Sequence, residues 1–189
     1  MVFQHGYLLH HQFFHLHQQL SKKLSRNATC LSHTLLSILI SGFYIFFPHS
    51  DIYFLMTTLS SGYFIFDTYY LLKYDQKSLK NILFIYHHCV SLYILTKGPE
   101  YLIDKFLFWA EISNAPYYFV YYYLKVDPES SNLQLWKQIQ KYIYVLIRVP
   151  ILGYYSYQNY FFLEEKIPYY ICAPLYFLGI VSSIHFFIN

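Results

Sequence analysis

The segment "NILFIYHHCVSLYIL", residues 81 to 95, sets His87 and His88 side by side in a run otherwise suited to lipid. Imidazole moves protons near neutral pH and can take an acyl group, so this is a residue type for general-base or nucleophilic chemistry. Two adjacent rings point about 100° apart on a helix, and no single neighbour satisfies both. One is expected to face a cavity and the other a neighbouring helix: His88 as the reactive group with His87 in support, or the reverse. Ser91 lies three residues beyond His88 and four beyond His87, where its hydroxyl could orient one ring. Adjacent positions do not converge on one ion, so no metal is expected at this pair.

Four further polar positions sit inside apolar runs: His33, Asp67, Glu111 with Asn114, and Arg148. An ionisable side chain at membrane depth is costly and by default faces the bundle interior with a partner. At 1.5 Å per residue, Asp67 lies roughly 9 Å below Lys73, His88 roughly 12 Å below Lys80 and Arg148 roughly 10 Å below Lys141. Glu111 and Asn114 lie roughly 16 to 21 Å below Lys125. One cavity opening to the cytosol could hold all of them. Each also has a purely structural reading. His33 is a candidate helix–helix hydrogen-bond donor, and Arg148 with Asp67 or Glu111 is a candidate buried ion pair holding helices in register. In a catalytic site, Asp67 or Glu111 would fix a histidine tautomer and hold an ammonium group. Arg148 would then neutralise a carboxylate or phosphate head group.

The elements that must position these residues are membrane helices. The chain of 189 residues is 56% hydrophobic and only 12% charged, about half the charged share of a soluble domain. Apolar runs of bilayer-crossing length occur at about 28–47, 52–72, 80–96, 101–124, 141–163 and 167–188, which predicts an all-α bundle of about six spans. Glu111 and Pro116 interrupt the fourth run, and Arg148 and Pro150 the fifth. Nine of the thirteen Lys and Arg fall on one side of this topology and three on the other, with Arg148 inside a span, so both termini are expected in the cytosol.

Residues 1–26 read as an interfacial amphipathic segment, with Phe3, Tyr7, Phe14 and Leu20 toward lipid. They lack the pattern of a cleaved signal. His11 and His15 within "HHQFFHLH" form at most a weak metal pair. The three cysteines suggest neither a disulfide framework nor a zinc site. The cations are scattered rather than gathered on one face, which argues against a nucleic-acid partner.

In order along the chain come "SHTLLS", "SGYFIFDTYYLL", "YHHCVSLYIL", "EISNAPYYFVYYYL" and "LIRVPILG". This series resembles the TLC domain of ceramide synthases, translocating-chain-associated membrane proteins and smaller TLC-domain proteins. The likeness covers about Arg26 to the C-terminus, a TLC-type transmembrane domain over 27–189. It implies a multi-pass helical bundle of the endoplasmic reticulum acting in membrane lipid metabolism. In ceramide synthases the matching histidine pair serves acyl transfer from acyl-CoA to a sphingoid base, so His87 and His88 inherit that expectation. The second HD pair and further Asp of those enzymes are replaced here by "FWAEISNAPYYF", which is closer to the smaller TLC-domain proteins.

Two function classes follow. The histidine pair favours a ceramide-synthase-like N-acyltransferase, with acyl-CoA as co-substrate and no resident cofactor. The missing HD...D pattern favours a lipid binder, sensor or carrier. A proton-coupled transporter lacks the expected inverted repeat. Membrane lipids are the expected partners in either class, with a homodimer as a further option.

Overall fold

The computed structural model describes residues 2–16, 21–74, 79–97, 100–162 and 167–188. Every regular element among them is helical: α1 (Val2–Leu16), α2 (Lys22–Phe46), α3 (Ser50–Tyr74), α4 (Leu79–Lys97), α5 (Glu100–Val126), α6 (Ser131–Ile143), a π-helical turn (Tyr144–Arg148), α7 (Val149–Phe162) and α8 (Ile167–Ile188). The chain is thus all-α, as expected. It groups into two compact units, residues 1–104 and 105–189.

In the first unit α3 is central and packs against α1, α2 and α4. Ser21 caps α2, its side chain accepting from the Leu24 N–H, so the helix begins six residues before the apolar run read from the sequence. Pro48 follows its C-cap, Phe47, and cannot prolong it. Helix α1 runs parallel to α3: Gly6 meets Thr58 and Gly62, His10 meets Tyr63 and Phe66, and Phe14 meets Tyr70. A Cβ on Gly62 would stand 2.1 Å from the Gly6 carbonyl carbon, so the two backbones touch where neither residue has a side chain. Tyr7 and Phe14, expected toward lipid, instead pack on rings of α3, Tyr7 on Phe66 and Tyr69 and Phe14 on Phe66 and Tyr70. Leu20, the Phe3 and His15 side chains and the expected loop residues 75–78, 98–99 and 163–166 lie outside the described residues.

In the second unit Pro116 sits inside an unbroken α5. The fifth apolar run is built differently, as α6, the π-helical turn and α7 in continuous succession from Ser131 to Phe162. The Val149 N–H donates to the Tyr144 carbonyl, five residues back, immediately before Pro150. A proline ring clashes with the preceding turn and supplies no N–H, and the widened turn absorbs that mismatch. Trp136 of α6 stacks on Phe119 of α5 at 4.2 Å, and Phe106 meets Tyr155 and Tyr176 edge-on.

Among the described residues one helix, Lys22–Phe46, is long and apolar enough to cross a membrane. The sidedness of α2 is inverted relative to a soluble helix. Its buried face carries Ser25, Asn27, Thr29, His33, Thr34, Ser37 and Ser41, while Leu35, Leu39, Phe43 and Phe46 are 46 to 78% exposed. Similarly, α4 buries Asn81 and His88 and exposes Ile82, Leu83 and Tyr86, and α8 buries Ser183 and exposes Phe177, Val181 and Ile184.

Candidate functional site

The buried polar side chains of α1, α2, α3 and α4 meet around Asp67. This residue lies on the buried face of α3, and its carboxylate is held by Arg26, one turn into α2. The guanidinium binds with both prongs, Nε to Oδ1 at 2.5 Å and Nη2 to Oδ2 at 2.7 Å. Such a planar fork is the geometry that arginine supplies and lysine cannot. Tyr70, one turn from Asp67, lies 5.4 Å from the same guanidinium, and the Cys30 Sγ stands 4.0 Å from Oδ1. Helix α4 reaches the other oxygen, with His88 Nε2 3.5 Å from Oδ2. The second ring nitrogen, Nδ1, lies 3.1 Å from the Thr68 hydroxyl. A carboxylate only accepts, so neutral His88 carries its proton on Nε2, and Nδ1 accepts from Thr68. Both nitrogens of His88 are therefore engaged within the bundle.

A second chain of contacts adjoins the first. His33 stacks on Tyr63 at 3.9 Å with the planes 7° apart, and Tyr63 meets His88 edge-on at 6.2 Å. His33 Nδ1 lies 3.2 Å from His10 Nε2, and His10 Nδ1 lies 2.7 Å from the Gly6 carbonyl. The carbonyl can only accept, which fixes the proton of neutral His10 on Nδ1 and makes its Nε2 the acceptor from His33. His33 Nε2 is then left to accept from the Ser37 hydroxyl at 3.2 Å. The hydrogen bonds thus run in one direction, from Ser37 through His33 and His10 to the backbone of α1.

The structure brings Asp67, His88 and His33 together, and His33 bonds His10 of α1. His87 is half-buried and presents its ring edge-on to Phe64 at 6.1 Å. The preferred assignment of roles within the pair is therefore reversed, because His88 is the ring held between helices. Ser91 bonds neither imidazole among the described residues, and Thr68 fills that role at His88. Arg148 was expected within reach of Asp67, Glu111 or the histidine pair. It stands in the π-helical turn with its guanidinium 4.9 Å from the Tyr144 ring, and the guanidinium on Asp67 belongs to Arg26. In the second unit Asn114 donates to Glu111 across one turn of α5 at 3.5 Å, and Glu111 is buried.

Arg26, His10 and Thr68 were missed. Arg26 precedes the apolar run that begins near residue 28. The signal that locates it is Ser21, a capping residue five positions earlier that moves the helix start back to Lys22. For His10 the signal is Gly6, four residues before it, since a small residue there lets the helix approach a partner backbone. Among the described residues no three His, Cys, Asp or Glu side chains converge as a metal site.

No protein-family model, no curated protein and no solved structure matches the chain.

Proposed function

We propose that the chain is a multi-pass membrane protein of the TLC type that acts in membrane lipid metabolism. Acyl transfer from acyl-CoA to a lipid amine is its proposed reaction. The observation that carries the membrane reading is the inverted sidedness of the helices, with large apolar side chains outward and ionisable ones inward. Water penalises that arrangement, whereas a bilayer requires it. Six spans and an endoplasmic reticulum location belong to the same proposal. The lysine and arginine split favours two cytosolic termini. The parallel course of α1 along α3 favours instead an amino terminus on the opposite side. A glycosylation tag at Met1 decides between them.

In the reaction the amine nitrogen attacks the thioester carbonyl, the C–N bond forms and the C–S bond breaks. The proton leaving nitrogen passes through an imidazole to the departing thiolate. His87 is the group proposed for that transfer, because the nitrogens of His88 are held by Asp67 and Thr68. His88 keeps α4 in register on α3. The competing reading, a lipid binder or sensor without catalysis, is favoured by the closed Arg26–Asp67–His88 set, which needs no ligand for its neutrality.

Purified chain in nanodiscs, supplied with a long-chain acyl-CoA and a sphingoid base, tests the reaction. Wild type should form the N-acyl product, and His87→Ala should lose it while folding normally. His88→Ala should lower yield and thermal stability together. Wild type that forms no amide yet retains lipid through purification overturns the catalytic reading and leaves the binder.

A further inference from the structure

The ends of α2 and α3 that lie beyond the Arg26–Asp67 pair carry cations interleaved with tyrosines. The Lys22 Nζ stands 4.8 Å from the centroid of the Tyr74 ring, and the Lys73 Nζ stands 5.3 Å from the same centroid. Two ammonium groups from different helices thus flank one ring. Lys73 also donates to the Tyr69 hydroxyl at 2.9 Å. That bond, with further support from Tyr74, holds the Lys73 pKa above its ordinary value. Tyr69, accepting from Lys73, keeps its own O–H to donate.

Among the described residues of the first unit, no carboxylate is paired with Lys22 or Lys73. Of the acids of the first unit whose side chains are described, Asp67 is neutralised by Arg26, Asp51 sits at the far end of α3 beside His49, and Asp104 is buried. In sequence, residues 75 to 80, "DQKSLK", hold one acid and two lysines. Lys22, Lys73, Tyr69 and Tyr74 are all exposed.

We infer that Lys22, Lys73 and the hydroxyl of Tyr69 form a site for the phosphate of an anionic phospholipid headgroup in the leaflet facing the lysine-rich side. Charge complementarity and placement both favour that occupant. Tyrosines belong at the headgroup level of a bilayer, and lysines there are drawn to anionic lipid. The site rests on the membrane reading proposed above, and it does not depend on catalysis.

The test uses the full chain in phosphatidylcholine nanodiscs doped with phosphatidylserine, with co-isolated lipid measured by mass spectrometry. Wild type should enrich phosphatidylserine over its bulk share. Each lysine near the surface contributes about a fivefold preference at low salt, so Lys22→Gln with Lys73→Gln should lower enrichment about 25-fold. Lys97→Gln with Lys105→Gln, on the opposite side of the proposed topology, should leave it unchanged. Equal enrichment in wild type and the Lys22/Lys73 variant overturns the site, as does an equal loss in the Lys97/Lys105 control. Displacement of phosphatidylserine by soluble adenosine 3′,5′-bisphosphate also overturns it, because the occupant is then a free phosphate compound. Release of the chain from cell membranes by alkaline carbonate overturns the membrane reading together with the site. A carbonate-resistant chain without lipid preference overturns the site alone.

Discussion

Replacing Asp67 with Asn keeps the shape of the side chain and removes the charge that Arg26 was folded to meet. The carboxylate side chain is 2% exposed and the guanidinium 24%, so the pair is largely withdrawn from water. Two unit charges 4 Å apart at an effective dielectric of 20 attract by about 4 kcal/mol. Breaking a buried pair from one side costs about 3 to 5 kcal/mol, because the remaining ion keeps its desolvation penalty. Arg26 retains some access to solvent, which places Asp67→Asn near the lower end, about 3 kcal/mol. Arg26→Gln should cost more, about 4 to 5 kcal/mol, since it strands the more deeply buried partner beside a neutral imidazole. The double variant Arg26→Gln with Asp67→Asn removes both ions and should recover about 2 to 3 kcal/mol of the summed losses. The assay is reversible denaturation of purified chain in mixed micelles with increasing dodecyl sulfate, giving the double-mutant coupling energy. Losses that simply add, with a coupling below about 0.5 kcal/mol, would refute the claim that these two residues hold each other.

The contact of α1 with α3 and the exposed apolar side of α2 each make one further prediction. Gly62→Ala inserts a methyl group 2.1 Å from the Gly6 carbonyl carbon and 2.3 Å from the Tyr7 nitrogen, both rigid backbone. The helices must part, the 3.2 Å contact of His10 with His33 lengthens past hydrogen-bonding range, and a loss of about 1 to 3 kcal/mol follows from that bond alone. A denaturation midpoint equal to wild type would show that α1 does not sit on α3. Leu39 is 67% exposed, near the middle of the apolar run at about 28–47. If that face meets lipid, Leu39→Lys should raise the apparent insertion free energy of the segment by about 3 kcal/mol in a translocon glycosylation assay, whereas a water-facing position would tolerate it.

Helical class and the matching heights of Asp67 and His88 along their helices were legible, the heights because they follow from a fixed rise per residue. Asp67 and His88 were placed at similar depths by counting from Lys73 and Lys80, and they meet at 3.5 Å. Counting gives height but not azimuth, and for that reason Arg148 was an equally good partner for Asp67 on paper. The true partner was lost through its helix boundary. Arg26 precedes the apolar run, yet the Ser21 cap carries the helix back past it and turns a supposed loop cation into a half-buried partner of Asp67. The seat of α1 on α3 was missed for a related reason. Its apolar residues were assigned to lipid, whereas Tyr7 and Phe14 find aromatic partners on α3 through a close approach that needs glycine in both helices. Such a contact is a property of two distant segments together, and neither one announces it alone.

The pairing of Arg26 with Asp67 also constrains the chemistry proposed for the histidines. Had Asp67 been unpartnered, it could have drawn an ammonium substrate to the site, as the sequence suggested. With both carboxylate oxygens bound by a guanidinium and the second also facing His88 Nε2, an ammonium must displace Arg26 to gain the same contact. Arg26 binds with two charge-assisted hydrogen bonds in fixed geometry, and a single ammonium offers less directional competition. An amine reaching this cluster therefore does better to arrive neutral, its proton left in water. The base then acts only as the C–N bond forms, when nitrogen becomes strongly acidic and a weakly basic imidazole suffices. On the proposed acyl-transfer reading His87 is the candidate for that base, since Asp67 and His88 are bound to Arg26 and Thr68.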